Sequence, residues 1–597
     1  MIEWVPPGLI LILGAFLIPF LKGRLRQGYM LLLPIIAFIS LLNMSEGTGF
    51  VTPFLEYDLI FGKVDKLSMA FGYVFVILTF IGILYALHVK NKGEHFSAIL
   101  YAGSALGVVF AGDFLTLFIF WELMAFSSVF LIWYGGNKKS YEAGFRYLMV
   151  HVFGGLCLLA GIIMRLVNTG SIEFGPIDFG SPGSYLILIG FMINAAVPPL
   201  HAWLSDAYPE ATVTGAVFLS AFTTKAAVYV LLRAFSGVEI LIWFGAAMAV
   251  FGVIYAVLEN DIRRLLAYHI ISQVGYMVAG VGMGTMLAVN GSVAHAFSHI
   301  LYKGLLFMGA GAVIHMTGRR KLTELGGLYK TMPLTLGLYM IGAFSISAFP
   351  LFSGFVSKSM VVSAAANEHL AVIWLMLTLA SAGTFLHTGL KLPYFTFFAK
   401  DAGIKAKEPP VNMLLAMGFA AFLNILIGIY PAALYNILPY PVDYVPYTGE
   451  HVVWSLQILL FTALGFFMLR SKLGGEPAIS LDTDWFYRKG SKLFMWFIEK
   501  PLSTAAQMPV NIFQRIADYL MWLGKNPTRA IFLYAGTAVF KLFGSFPGMP
   551  PHASEKILED SWKNYPGEPV RKSPIGDSVI LVLLFMAVYA IYYYIVS

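Results

Sequence analysis

Residues 185–235, YLILIGFMINAAVPPLHAWLSDAYPEATVTGAVFLSAFTTKAAVYVLLRAF, hold two apolar segments, each long enough to enter a bilayer. Pro198 and Pro199 interrupt the first, and Lys225 stands alone near the middle of the second. A proline inside a membrane helix frees backbone carbonyls, which are tolerated only where protein or a water-filled cavity satisfies them. A lysine at that depth costs roughly 2.5–3.5 kcal/mol on insertion scales, so it marks function by default. A broken helix beside a buried base is a design for carrying an ion across a membrane.

Composition supports that reading outward from this stretch. The chain has 597 residues, is 58% hydrophobic and 12% charged, and has a mean hydropathy of +0.76. Soluble domains carry about 25% charged residues, so this is a polytopic membrane protein. The net charge of +7 reads as loop lysines and arginines facing one side of a membrane, not as a nucleic-acid footprint. The one cysteine, Cys157, lies in an apolar run. It excludes intrachain disulfides and leaves no thiolate set for zinc or an iron–sulfur cluster.

Apolar runs predict sixteen spans, at 4–21, 28–44, 66–90, 97–112, 115–134, 144–168, 184–203, 211–235, 239–258, 264–287, 292–316, 333–365 (broken), 370–399, 411–436, 452–470 and 577–596. The first lacks a small-residue cleavage site and reads as a retained span. Basic residues fall in alternate loops, among them Lys22, Arg24 and Arg26, then Lys138 and Lys139, then Arg319, Arg320 and Lys321. The loops 169–183 and 437–451 contain no lysine or arginine. The positive-inside rule then puts both termini outside and the basic loops in the cytoplasm of an inner-membrane protein. Five segments follow: N-terminal helices (1–96), a core (97–400), further helices (401–470), a lateral arm with a linker (471–576) and a C-terminal anchor (577–597). Within the arm, 486–545 reads as amphipathic helices lying along the cytoplasmic surface, and 546–576 as a Pro- and charge-rich linker.

Ionisable residues recur inside the predicted spans. Glu122 lies in LFIFWELMAF, and His295, His299 and Lys303 share one helix face at i, i+4 and i+8. Lys358 follows a break at Pro350 and Gly354, while His387 and Lys391 are again four apart. Taken singly, each has a bland reading. Glu122 would serve as a structural ion-pair member, Lys358 and Lys391 would snorkel, and the histidines would bond backbone. As a set through spans 5 to 13 they read as a route for stepwise ion transfer, because burial brings lysine and carboxylate titration toward neutrality and histidine starts there.

The chain also echoes itself. AAVPPLHAWLSDA (195–207) aligns with SAFPLFSGFVSKS (347–359), matching Ala196 to Ala348 and Pro198 to Pro350. The two broken segments lie five spans apart, an odd number, so the repeats they belong to face opposite ways. This is the signature of inverted repeats around an ion path. The predicted fold is therefore an all-α polytopic membrane protein of about 16 transmembrane helices, with two inverted five-helix repeats containing broken helices and a C-terminal amphipathic lateral helix.

The ordered set FWELMAFSS, PLHAWLSDAYPEA, TTKAAVY, LLRAF, DIRRLLAYHIISQVGYM, HAFSHILYKGLLFMGAG, ELGGLYKTMPLT and FPLFSGFVSK resembles the antiporter-like subunits of respiratory complex I. It also resembles those of Mrp-type cation/proton antiporters, membrane-bound hydrogenases and sulfane-sulfur reductases. The likeness covers about residues 60–400. The arm and final span look like the distal complex I subunit with its lateral helix. The resemblance implies an ion path along Glu122, Lys225, His295, His299, Lys303 and Lys358, extended here to His387 and Lys391. It implies transport of H⁺, and possibly Na⁺, within a redox-driven multi-subunit membrane complex. It gives no catalytic or metal-binding residue and no cofactor in this chain, with iron–sulfur or metal centres in partner subunits and no nucleic acid. Two positions depart from the family pattern. Asn194 stands where the family has a lysine in the broken seventh span, so either Glu122 finds another partner such as Lys225 or the first half-channel is altered or inactive. Arg263 stands where many relatives have lysine. A subunit of a stand-alone Mrp-type Na⁺/H⁺ antiporter and a non-conducting structural connector remain open alternatives.

Overall fold

The computed structural model describes residues 4–474, 482–567 and 575–596. It forms two units, Met1–Trp485 and Phe486–Ser597.

In the first unit, α1 (Pro7–Ala15) and α2 (Gly23–Asn43) lead into an antiparallel hairpin of β1 (Gly47–Phe54) and β2 (Tyr57–Val64), with Gly47 opposite Val64. The sequence reading left this stretch as a loop. The hairpin is tied to the helices by the Ile60 amide, which donates to Asp113 Oδ2 at 2.7 Å. Then come α3 (Lys66–Ala86), α4 (Lys92–Phe110), α5 (Phe114–Trp133) and α6 (Lys138–Thr169). The broken seventh span is α7 (Pro182–Asn194) with α8 (Ala202–Ala207). The eighth, expected to be continuous, is also broken, into α9 (Gly215–Leu219) and α10 (Thr223–Ala234). No proline signals this second break; Lys225 itself bonds a carbonyl that the break frees, as described below.

Next are α11 (Ile240–Leu258), α12 (Ile262–Met283) and α13 (Met286–Thr317), then α14 (Pro333–Ile346) and α15 (Ser353–Asn367) on either side of the second break. The thirteenth span begins as α16 (Ala371–Thr384) and widens into π-helical turns at Phe385–Lys391 and Tyr394–Phe398. Pro393 lies between those turns. It has no N–H and its ring crowds the carbonyl one turn back, which disfavours regular α-helix there. The unit ends with α17 (Val411–Ile429), α18 (Ala432–Tyr435) and α19 (Gly449–Leu469).

Each of the sixteen apolar runs contains helix. Among the described residues, eleven helices are long and apolar enough to cross a membrane and four more are shorter, with α4 beside them. The protein is thus an all-α polytopic membrane protein apart from the hairpin. The spans are not equivalent. Gly215–Ala234 and Ile262–Met283 are enclosed along their whole apolar stretch, and Met286–Thr317 almost so, while Gly449–Leu469 is mostly exposed.

The internal echo is a backbone repeat. Asp113 and Asp261 cap α5 and α12, each with side-chain acceptance of a backbone N–H. Asp113 forms a bridge with Glu173, and Asp261, 148 positions later, forms one with Lys321. Between them α6 and α13 each run 32 residues and end on a left-handed glycine, Gly170 or Gly318. The breaks repeat as well. Ala196 (φ +58°) and Ala348 (φ +56°) are both left-handed, and Val197 N→Met192 O has its counterpart in Phe349 N→Phe344 O.

The second unit carries most of α20 (Asp484–Phe497), a π-helical turn, α21 (Ser503–Gly524), α22 (Pro527–Phe543), α23 (Pro551–Lys563) and α24 (Ile575–Val596). Its small core joins Ala530, Leu533 and Tyr565 to Trp522 and Trp562. The linker expected at 546–576 contains α23, which starts on Pro551 at its N1 position. Trp562 at its end donates to Thr537 Oγ1 at 3.0 Å. Phe494, Phe513 and Leu520 remain exposed along α20 and α21.

Candidate functional site

The enclosed helices α10, α12 and α13 carry the central groups. Lys225 lies just past the break between α9 and α10, and its amine donates to the Ser220 carbonyl at 2.6 Å and to Thr224 Oγ1 at 3.2 Å. Lys303 on α13 donates to His269 Nδ1 on α12 at 3.1 Å. His269 Nε2 lies 3.2 Å from both Thr384 Oγ1 and the Gln273 amide nitrogen. The His387 ring follows, its centroid 4.7 Å from that of His269.

His295 and His299 lie on the same helix as Lys303, with ring centroids 6.1 Å apart. Both nitrogens of each ring are buried and, among the described residues, meet no protein hydrogen-bond partner. Buried polar groups are seldom left without one, and where a polar site lacks a protein partner, water takes its place.

Lys358 on α15 repeats the arrangement of Lys225. Its amine donates to Ile346 O, the carbonyl freed at the end of α14, at 2.9 Å. It also lies 5.5 Å from the Tyr276 ring centre and lines a cavity of about 430 Å³ together with Ser381, Glu450 and His451. The close crossing at this break requires Gly354, where a Cβ would lie 1.8 Å from Ser345 O. Lys391 turns elsewhere. It donates to Val257 O and Glu259 O at the end of α11, at 2.5 and 2.9 Å.

In the first repeat the expected partnership does not form. Among the described residues no ion pair joins Glu122 to Lys225. The Glu122 carboxylate instead lies over Gly155 on α6, where a Cβ would meet its Oε1 at 1.8 Å. Asn194, at the end of α7, accepts from His151 Nδ1 at 2.9 Å. Trp203 Nε1 holds the adjacent Ile193 carbonyl at 2.9 Å. Pro198 and Pro199 lie in the turn between α7 and α8, as Pro350 does between α14 and α15.

Arg263 serves architecture. Its guanidinium donates to the carbonyls of Pro209, Ala211 and Thr212 at 3.1, 2.7 and 2.7 Å, a three-way clamp for which its planar fork is suited. Among the described residues no cluster of three or more His, Cys, Asp or Glu is arranged to hold a metal ion.

The sequence reading passes over His151, Gln273, Thr384, Tyr276 and Asp482, and takes His269, near a loop, as structural as readily as functional. The only signal for His269 and Gln273 was that both lie in AYHIISQ, four positions apart on one helix face. Asp482, from the turn after the fifteenth span, is buried. It accepts from Tyr268 Oη at 2.6 Å and lies 3.1 Å from His201 Nε2 at the start of α8. Burial alone would raise its carboxyl, but the bonds from His201, Tyr268 and the Thr483 amide hold it below the usual carboxylate range.

The family described as NADH:quinone oxidoreductase/Mrp antiporter, transmembrane, matches residues 111–384, the stretch containing both repeats up to Thr384. An Na⁺/H⁺ antiporter subunit of Alkalihalophilus pseudofirmus is 29% identical over 85% of this chain and 73% of that protein. The Na⁺/H⁺ antiporter subunit of the same type from Bacillus subtilis is 29% identical over 72% of this chain and 60% of its own length. Among solved structures, a chain of the Mrp complex from Dietzia superposes with a TM-score of 0.63 at 20% identity, covering 76% of this chain and 95% of that one. A chain of the membrane-bound sulfane sulfur reductase, an archaeal respiratory membrane complex, gives 0.65 at 24% identity over 76% and 98%. Those two likenesses establish a shared fold. With the ordered motifs and the repeat, these matches make residues 111–384 similar to the transmembrane region of the NADH:quinone oxidoreductase/Mrp antiporter family.

Proposed function

We propose that this chain is the ion-translocating antiporter-like subunit of a multi-subunit complex in the inner membrane, moving H⁺ or exchanging H⁺ for Na⁺. The observation that carries this is the buried line Lys225, His299, Lys303, His269, His387. In it a lysine donates directly to a histidine, and among the described residues the imidazoles of His299 and of its neighbour His295 have no protein partner. A structural ion-pair network neutralises its charges pairwise. Here bases gather without carboxylates, which suits mobile protons. The partners are other membrane subunits and the lipid bilayer. Any iron–sulfur or metal centre of the complex belongs to those partners. Residues 97–400 form the conducting core. The 471–576 region braces neighbours on the cytoplasmic side, and both termini lie outside.

The relatives named as Na⁺/H⁺ antiporter subunits favour Mrp-type exchange as the second reading. Co-purification with or without a redox module separates the two. The test of transport itself is reconstitution of the purified complex into liposomes, with an imposed Na⁺ gradient and a trapped pH dye, and in parallel with its electron donor. Lys303→Ala should lower H⁺ movement at least about tenfold while the complex stays assembled. Undiminished movement in Lys225→Ala and Lys303→Ala would reject the role and leave a connector.

A further inference from the structure

We propose that His151 is the proton carrier of the first repeat, taking the place of the lysine absent at Asn194. This rests on reading the axis as an ion path.

Three observations support it. First, the repeat that matches Asp113 to Asp261 and Gly170 to Gly318 matches His151 to His299 by the same 148-residue shift. Each is a buried histidine near the middle of the long helix of its repeat. Second, His151 Nδ1 donates to Asn194 Oδ1 at 2.9 Å. That bond fixes the tautomer in which Nε2 is the free base, and Nε2 is buried with no protein partner among the described residues. Third, Gly155 lies one turn further along the same face of α6, and the Glu122 carboxylate occupies the space its side chain would fill. By the same shift Gly155 corresponds to Lys303. In the second repeat the base beside the histidine is carried on the helix. In the first a carboxylate reaches across from α5 to the same place.

The route onward is also lined. The His151 ring packs on Tyr147 with centroids 4.2 Å apart, and Tyr147 shares a 2.8 Å hydrogen bond with Ser128. Tyr101 joins Thr223 on α10 at 2.6 Å, next to the Thr224 hydroxyl that holds Lys225. The step is one proton from the Glu122 carboxylic acid, carried through intervening water to Nε2, giving a carboxylate and an imidazolium, followed by release of that proton from Nε2 through water toward the α10 hydroxyls. Nδ1–H stays on Asn194 throughout, and no electrons move.

The test uses the reconstituted complex and H⁺ flux, with Lys303→Ala as the control for the path as a whole. His151→Gln keeps a polar side chain facing Asn194 but cannot carry a proton. It should assemble with unchanged thermal stability and lose flux about tenfold. Adding Asn194→Lys to His151→Gln should restore most of that flux. If His151→Gln keeps wild-type flux while Lys303→Ala abolishes it, the inference is overturned and the path stands. If neither variant changes flux, the path itself has failed. Should His151→Gln fail to assemble, Gly155→Ala decides, since its Cβ displaces the Glu122 carboxylate without touching the histidine. Reduced flux supports the relay, and unchanged flux overturns it.

Discussion

Lys303 Nζ and His269 Nδ1 are 3.1 Å apart, and that separation fixes how many charges the centre of the axis carries. Two cations at that distance repel by about 5 kcal/mol even at an effective dielectric constant near 20. The pair therefore holds at most one excess proton. A second proton arriving from Lys225 or His299 must expel the first, which makes the pair a one-at-a-time gate. His269→Gln should accordingly reduce flux about tenfold while leaving assembly intact, measured as dye-reported acidification of proteoliposomes; wild-type flux would show that Lys303 releases its proton elsewhere. Arg263 offers a contrast. Arg263→Lys cannot bridge three carbonyls and should cost about 2 kcal/mol of stability, seen as a lower melting temperature in detergent. At this scale the sequence was legible for lysines, which have no ordinary reason to lie mid-bilayer. It was mute for His151 and did not separate a structural from a functional role for His269, because the meaning of each depends on which helix it faces. The partner of Glu122 was misjudged because a glycine, Gly155, leaves no trace of the space it makes.

The elements that matter are the breaks. Lys225 and Lys358 each donate to a carbonyl freed by one, Ser220 O and Ile346 O, so a lost helical bond and a buried base answer each other. The proline-marked breaks were legible at Pro198, Pro199 and Pro350, and their echo proved to be a repeat of the backbone hydrogen bonds themselves. The break ahead of α10 and the hairpin of β1 and β2 were not legible. The first has no proline, and the second consists of two short strands between long apolar runs. The seventh-span break has an additional clasp in Asp482, which joins His201 to Tyr268. Asp482→Ala should destabilise the first unit by about 3 kcal/mol, read as a loss of melting temperature. The pH dependence has a definite sign. A carboxyl held below its ordinary value of about 3.9 favours the folded state above that pH, and its contribution disappears as pH falls through the folded-state value. The melting temperature of the wild type should thus fall below about pH 4 more steeply than that of Asp482→Ala. Parallel curves would show that the clasp carries no stabilising charge.

On the scale of the whole molecule, the first unit buries its own core, whereas the second keeps Phe494, Phe513 and Leu520 exposed along amphipathic helices that a lipid surface or neighbouring subunits would cover. Deleting residues 486–597 should leave the first unit folded but strip partner subunits during purification. A fully assembled, fully active complex after that deletion would remove the bracing role. The apolar spans made this scale the most legible, since hydropathy acts residue by residue and needs no tertiary knowledge. The helix at 551–563 escaped because its Pro- and charge-rich sequence reads as a linker until Trp562 finds its place. The central claim is that the buried bases form one hydrated path. The most direct measurement is a map of the intact complex at a resolution that shows water. Ordered water joining Lys225 to His299 and His151 Nε2 toward α10 is the predicted result; dry, tightly packed gaps on both sides of Lys225 would contradict it.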